Sequence, residues 1–483
     1  GAEDAYWTNA ANWTVGGAVA TRCPGVVSND DMTVTWAAWS SNADRAIFSG
    51  PTAHANIDLD GLFSVSNVTV SGADTPPLTF DGASHAAMPL KVKGSFCVEA
   101  DVTGGISLPR VSVGIGCNSS KQRSDFVDYV NNSKALVSIG DVGWGVLHPD
   151  RTGTYWSQNL RLSGTGDFAV TGSRGGDGLG YSGLFDPVLR TTGKVTVSGN
   201  AYADMRYPQL SGVSEVEIGS GAKFSVQDWS GASMEITKSV DITGEGALGL
   251  STQNPLTVGE GAVVRLMCSL NVTYRNTHDY FAFSGSGEVH LLGTAGSITK
   301  SSKYARISGV RVLSPVIGKV GETGYMLGDR SVMAMLLSKG TIAYTGAGEV
   351  TDRRVDLGNV SGGAVEQAGT GEWTVDSEAV VDPSVQSSTL ELRNNVAAEG
   401  VWRSAIVGNT ADGEARTLSL RKTGTGVWRL AAANAYRGET VLEGGTLVAD
   451  VVGAIPSSSK LVFNGGRLEL SGGADELRAY AFD

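Results

Sequence analysis

The chain has 483 residues, of which 66 are Gly and 13 Pro; 41% are apolar and the formal net charge is −12. That acidic balance excludes a nucleic-acid binder, which needs basic patches to displace phosphate counterions, and it gives no attraction to an anionic membrane surface. No run reaches the roughly 18 consecutive apolar residues of a membrane span, and no basic-then-apolar leader precedes the first strand-like text, so no membrane insertion by this chain is expected.

Long Ala/Leu/Glu/Lys runs with helical period are missing, which points to an all-β protein. The opening GAEDAYW is compatible with a processed N-terminus. Residues 1–50 hold four of the ten tryptophans, Trp7, Trp13, Trp36 and Trp39, together with Pro24, Asp30, Asp31 and Phe48 near Gly50. This Trp, Asn-Trp, proline, acidic, Phe-Gly order resembles the opening module of large secreted β-helix proteins. Physically, the first coil of a stacked fold must be covered, because its edge offers unpaired backbone groups. Large aromatics over the end of the stack supply that cover, so 1–50 is expected to be an N-terminal capping segment. Sugar binding by the same flat rings is the functional alternative.

From residue 51 onward the text is short alternating runs broken by turn residues. NIDLDGLFSVSNVTVSG, PPLTFDG and PLKVKGSFCVEADVTGGISLPRVSVGIG read as short strands with turn breaks across 51–120, with Val65, Val68 and Val70 carrying β-branched packing and Pro76 and Pro77 at a corner. The stretch 121–159 is the least strand-like. Phe126, Val127 and Val130 fall at helical spacing, which predicts a short helix near Ser124–Val130. Trp144, His148, Asp150, Arg151, Tyr155 and Trp156 then cluster in one loop-like run. Loops that leave a rigid scaffold are where binding concentrates, so Trp144, Tyr155 and Trp156 are the candidate ligand-binding residues. A second excursion is expected over 173–189, where a Gly-rich run lacks the repeated spacing of a calcium nonapeptide. Strand text resumes over 160–300. In 300–417 the run GYMLGDRSVMAMLLSKG reads as a buried helix or a wide strand, with Met326, Met333 and Met335 as core filler.

The densest pattern lies at 418–450, LSLRKTGTGVWRLAAANAYRGETVLEGGTLVAD. Three strand-like pieces alternate with glycine corners at Gly424 and Gly426, at Gly438, and at Gly444 and Gly445. Strand, corner, strand, corner, strand in about 30 residues is the signature of a solenoid coil. The run resembles the passenger-associated transport repeat of autotransporter passengers at Leu420, Lys422, Gly424, Gly426, Leu430, Asn434, Tyr436, Gly438, Thr440, Gly444, Gly445 and Leu447. The resemblance implies an exported, extracellular, right-handed parallel β-helix, and it implies no catalytic residues. The expected organisation is therefore a cap over 1–50 and a β-helix over 51–483. KLVFNGGRLELSGG continues strand, turn and strand after the repeat, and the polypeptide is expected to run on past residue 483.

Gly-x-Gly recurs at Gly164, Gly244, Gly285, Gly346, Gly369 and Gly424, and most of the separations are near multiples of about 20 residues, which suggests a coil of that length. Cys97 and Cys117 are separated by one such length. Two such positions stacked in neighbouring coils lie close enough for a disulfide, and paired buried thiols fit equally well. The four cysteines and five histidines show no metal-ligand spacing, so no metal and no cofactor are expected.

Polysaccharide lyases and hydrolases also occur on β-helices, and their chemistry needs converging carboxylates or bases. Asp58 with Asp60, and Asp125 with Asp128, are the pairs with suitable spacing, and each reads as solvated surface. Arg353 and Arg354 are adjacent, face opposite ways on a strand, and read as surface too. No catalytic residue is assigned. The sequence favours an exported structural or adhesive protein at the cell surface, with glycans, surface proteins or a second copy of itself as partners. A carbohydrate-active β-helix enzyme or a carbohydrate-binding module is the alternative.

Overall fold

The computed structural model describes residues 6–7, 9–15, 18–20, 26–28, 44–51, 56–58, 62–81, 90–92, 94–108, 126–140, 159–172, 185–199, 202–205, 209–226, 234–251, 255–273, 280–293, 304–320, 334–409 and 414–471. Apart from one short 3-10 turn at Ala10–Asn12, every described element is a strand. The chain divides into two compact units, Gly1–Gln227 with Ala232–Leu248, and Asp228–Gly231 with Gly249–Asp483.

In the first unit the strands form two long parallel ladders. One runs through Arg45–Ser49, Asn67–Ser71, Ser95–Val98, Phe126–Asn131, Asn159–Gly164, Phe185–Leu189, Gln209–Leu210 and Met234–Ile236. The other runs through Asn56–Asp58, Leu78–Asp81, Ile106–Leu108, Val137–Gly140, Phe168–Gly172, Lys194–Gly199 and Glu215–Ile218 into Val240–Ser251. The chain visits the first sheet, then the second, then returns. Each strand therefore pairs with its equivalent one coil away, which is a parallel β-helix. Alternation sends every second side chain inward. Register then stacks Val68, Phe96, Tyr129, Leu162, Leu189, Leu210 and Ile236 in one column, all at most 1% exposed. Each such side chain contributes about 1.5–3 kcal/mol by leaving water.

Two expectations change here. Phe126–Asn131 is a strand, not a helix. Its helical spacing yields to register pairing along its whole length with Asn159–Gly164, and with Ser95–Val98 on the other side, so tertiary pairing overrides the local pattern. Coil length is also not constant. Phe96 stacks on Tyr129, whereas Leu337 stacks on Leu357, and the first step along the chain is much longer than the second. A coil must keep its strands in register, but the connections between them can lengthen at little cost.

The second unit builds three sheets. Its first sheet runs through Leu256–Val258, Tyr280–Gly285, Tyr304–Ser308, Ala334–Ser338, Arg354–Leu357 and Ala379–Val381. The run containing the three methionines supplies the strand Ala334–Ser338, with Met335 fully buried; Met326 and Met333 lie outside the described residues. The second sheet runs from Val263–Thr273 to Leu461–Phe463. A third sheet stacks Glu349–Thr351, Trp373–Val375, Gly400–Trp402, Val427–Leu430, Thr446–Ala449 and Arg467–Leu470. Its interior is aromatic. Trp373 stacks on Tyr344 at 5.4 Å and meets Trp428 edge-on at 6.1 Å. Gly400 lies between the two indoles in register, where a Cβ would sit within 2.5–2.7 Å of the Trp428 ring.

Candidate functional site

The coil at 418–450 is the one the sequence marks most strongly, and its geometry explains the marked positions. Strand Thr417–Thr423 belongs to the second sheet and Val427–Leu430 to the third. Where the first sheet would follow, residues 431–439 form no strand. Backbone bonds still tie this segment to its neighbours: Ala435 N–H donates to Ile406 O at 3.0 Å, Asn434 N–H to Gly453 O at 2.8 Å, and Gly438 N–H to Leu418 O at 2.8 Å. The Asn434 side chain supplies what a ladder would otherwise give. Its Oδ1 accepts from Ile406 N–H at 2.7 Å, in the coil before, and its Nδ2 donates to Ala454 O at 2.5 Å, in the coil after. One carboxamide thus acts as an extra peptide group across three coils.

Tyr436 and Thr440 are fully buried. Tyr436 OH lies 2.7 Å from Thr440 Oγ1, which lies 2.8 Å from Ser459 Oγ, which donates to Gly438 O at 2.8 Å. The Ser459 proton is committed to that carbonyl, so Thr440 donates to Ser459 and Tyr436 donates to Thr440. Gly438 leaves room for Ser419 Oγ, which a Cβ would displace.

Asn434→Ala removes two inter-coil bonds and leaves the N–H of buried Ile406 and the C=O of buried Ala454 without these partners. The expected cost is about 2 kcal/mol, read as lost hydrogen-exchange protection at Ile406 and across 431–439, with the coils of the first unit unchanged.

Lys422 is the unexpected member. It occupies the inner column of the second sheet, in register with Leu392 before it and Leu442 after it, and is fully buried. Its ammonium donates to Thr423 O at 2.6 Å, Gly444 O at 3.2 Å and Gly424 O at 3.4 Å. Those carbonyls belong to the corners after two successive second-sheet strands. Loss of water around the amine pushes its pKa down to about 8.

Other inward polar side chains hold corners in the same way. Asn131 Nδ2 donates to Ala135 O and Asp167 O at 2.8 and 2.9 Å. Gln367 Nε2 donates to Gly371 O and Glu399 O at 2.6 and 3.1 Å, and Asn394 Nδ2 to Ala398 O and Val427 O, both at 2.8 Å. Each spans its own turn and the next coil, so buried carbonyls are satisfied without water.

The outer walls of the second unit are closed by charged side chains. Arg311 reaches Glu288 at 2.9 Å and Glu366 at 2.8 Å, the second of these 55 residues away. Arg393 also contacts Glu366, at 3.5 Å, and bonds Glu391 at 3.0 Å. On the third sheet Arg429 bonds Glu399 at 3.1 Å and Asp450 at 2.6 Å, and the neighbouring outward Val401 and Val448 are buried. Exposed ion pairs add little stability; here their stems cover apolar surface.

Of the residues the sequence singles out, Trp144, Tyr155 and Trp156 lie in 141–158, outside the described residues, as do Cys117, Asp60, Asp125, Trp36 and Trp39. The connections 109–125, 141–158 and 173–184 all run from the second sheet back to the first, and Phe185–Leu189, at the end of the Gly-rich run, is already a first-sheet strand. Cys97 pairs in register with Thr69 and Val130. Its counterpart one coil on is therefore Val130, and the spacing to Cys117 is not a coil repeat. Burial, with Glu99 3.5 Å away, pushes the Cys97 thiol up to about 11. Asp128 is paired with Arg161 at 3.1 Å and is not left open for chemistry. Arg354 is paired with Asp356 at 2.6 Å. Arg353, expected at the surface, is fully buried: it donates to Ile317 O at 3.0 Å and Lys319 O at 3.2 Å, and so fixes the turn of the preceding coil. Trp7 is buried, with its ring 4.8 Å from Trp13 and 5.8 Å from Phe48; the aromatic series continues through Phe80 and Phe96 to Tyr129.

Among the described residues, no group of three or more His, Cys, Asp or Glu is placed to hold a metal ion, and no helix is long and apolar enough to cross a membrane.

Residues 420–449 match the family model of the passenger-associated-transport-repeat. The chain is also similar to the adhesin BmaC autotransporter of Brucella suis biovar 1 (strain 1330), at 23% identity over 526 aligned positions that cover 92% of this chain and 14% of the relative. It therefore spans only a small part of that protein's length. No solved structure matches the chain. Stacked parallel coils, a matched transport repeat at 420–449 and similarity along nearly the whole chain to an adhesin autotransporter make this chain autotransporter-passenger-like.

Proposed function

We propose that the chain is a segment of an exported adhesin passenger, displayed at the bacterial cell surface and acting by contact without catalysis. The observation that carries this is the similarity to an adhesin autotransporter over 92% of the chain, joined to coils whose titratable groups are engaged in structure. Asp128, Glu288, Glu366, Asp356, Glu399 and Asp450 each bond a basic side chain of their own or a nearby coil. Carboxylates held this way spend their oxygens on arginines of the coils, and do not converge on a shared open space.

In this reading the coils are a scaffold. Contact with host or matrix components, glycans or surface proteins, is made through the connections from the second sheet to the first, among them 141–158 with Trp144, Tyr155 and Trp156. Trp7 and Trp13 packed on Phe48 support a capping role for the N-terminal segment, which opposes head-to-tail stacking of a second copy on that end.

The test uses cells producing the full-length protein and an in-frame deletion of residues 51–483. Antibody binding to intact cells reports display, and attachment to epithelial cells or matrix-coated surfaces reports adhesion. The expected result is display in both with adhesion lost only in the deletion, and a Trp144→Ala, Trp156→Ala double variant that stays folded but adheres several-fold less. Unchanged adhesion of the deletion strain would overturn the proposal.

A further inference from the structure

The turn that follows the recognised repeat carries a second, chemical feature. Asn464–Gly465 is the only Asn-Gly pair in the sequence. It sits between Leu461–Phe463 and Arg467–Leu470, and both residues are exposed. Asn464 N–H donates to Leu442 O at 2.7 Å and Gly466 N–H donates to the same carbonyl at 3.3 Å, which pins the turn on both sides. Among the described residues neither the Asn464 carboxamide nor the Gly465 N–H has a hydrogen-bond partner. Gly465 has no Cβ to shield its nitrogen, and it adopts φ +130°, a region open to glycine alone.

We infer that Asn464 is a site of spontaneous deamidation in the folded protein. The Gly465 backbone nitrogen, after losing its proton to solvent base, attacks Cγ of Asn464. The new N–Cγ bond closes a five-membered imide, the Cγ–Nδ2 bond breaks, and the amide nitrogen leaves with a solvent proton as ammonia. Water then opens the imide at either carbonyl. One opening leaves an ordinary aspartate at this position and the other an isoaspartyl linkage, in which the main chain is longer by one methylene. No oxidant or reductant takes part.

Both products act on the coil stack. Asn464 follows Phe463, the register partner of Leu442, so a carboxylate there lies beside Glu443 of the preceding coil. Glu443 already bonds Arg421 at 2.6 Å, one coil further back. The outward column would then carry two acids for one arginine, and like charges set side by side on a sheet are destabilising. The isoaspartyl form also lengthens a turn whose two ends share one acceptor. The site would thus mark the age of a displayed molecule and loosen the coils around residues 440–471.

The experiment incubates the folded protein at 37 °C over a range of mildly alkaline pH, then digests it with trypsin and follows the peptide Leu461–Arg467 by mass, with isoaspartyl methyltransferase labelling to separate the two products. The expected result is a rise in mass from exchange of the side-chain NH2 for OH, with labelling confined to this peptide. The rate should climb with pH, because the attacking nitrogen must be deprotonated. Asn464→Gln should show neither signal, and hydrogen exchange over 440–471 should quicken in aged wild type only. An Asn464 left intact in the folded protein, over a period in which the excised peptide converts completely, would overturn the inference. So would modification spread evenly over other asparagines.

Discussion

Gly445→Ala is expected to cost about 3 kcal/mol and to disrupt the recognised coil locally. Gly445 has φ +60°, the left-handed region that costs an L residue roughly 1–2 kcal/mol. A Cβ there would also run into the carbonyl oxygens of Gly426 and Gly424 and lie 2.9 Å from Lys422 Nζ. Backbone carbonyls cannot swing aside as a side chain can, so overpacking adds about 1–3 kcal/mol. Gly261 separates the two causes. It has φ +72° with nothing within 4 Å of the position a Cβ would take, so Gly261→Ala should show the conformational cost alone, about 1 kcal/mol. Hydrogen exchange of 440–449, measured beside the thermal unfolding of each variant, checks both. Equal losses for the two substitutions would mean that the carbonyl cradle around Lys422 plays no part.

That cradle also shows what the sequence could and could not convey. The coil architecture was legible, because alternation and glycine corners survive in one dimension, and so was the repeat, whose marked positions are core leucines, glycine corners and a few polar side chains that bridge coils. The inward direction of Lys422 was legible too in principle. Leu418, Leu420 and Lys422 share the period of two that puts them on one face, and a lysine on that face has to be buried or break the strand. Arg353 carried no such signal, because its burial depends on the carbonyls of Ile317 and Lys319, far back in the preceding coil. The strand at Phe126–Asn131 and the unequal coil lengths were hidden for a related reason. Parallel pairing joins segments a whole coil apart in the chain, as Ser95–Val98 joins Phe126–Asn131, and nothing local reports which segment a strand will meet. The ligand-binding candidates lie in connections whose sequence is freed from the coil pattern, so periodicity marks where they begin but not what they do.

Lys422 also gives the protein a dependence on pH that a single variant can isolate. Its folded pKa is near 8, against 10.5 for the unperturbed amine. Below pH 8 the amine is charged in both states, and the folded protein bears the full cost of holding an ammonium among carbonyls. Between pH 8 and 10.5 the folded protein has released a proton that the unfolded chain still binds, so stability rises with pH across this window. The integrated gain is on the order of 3 kcal/mol, since each pKa unit corresponds to about 1.4 kcal/mol. Two other groups work against it. Cys97 is raised to about 11 by burial and by Glu99, and the Tyr129 hydroxyl is raised by burial; each keeps its proton in the folded state while the unfolded chain loses it, so each lowers stability as pH climbs past its ordinary value. Raw unfolding curves therefore understate the lysine. The difference between wild type and Lys422→Met removes the shared contributions. Chemical unfolding of both proteins from about pH 7 to 10.5, followed by hydrogen exchange at 420–445, should show wild type gaining on the variant steadily above pH 8. A constant difference would mean that the amine stays charged in the folded coil, held by Thr423, Gly424 and Gly444 strongly enough to offset its lost hydration.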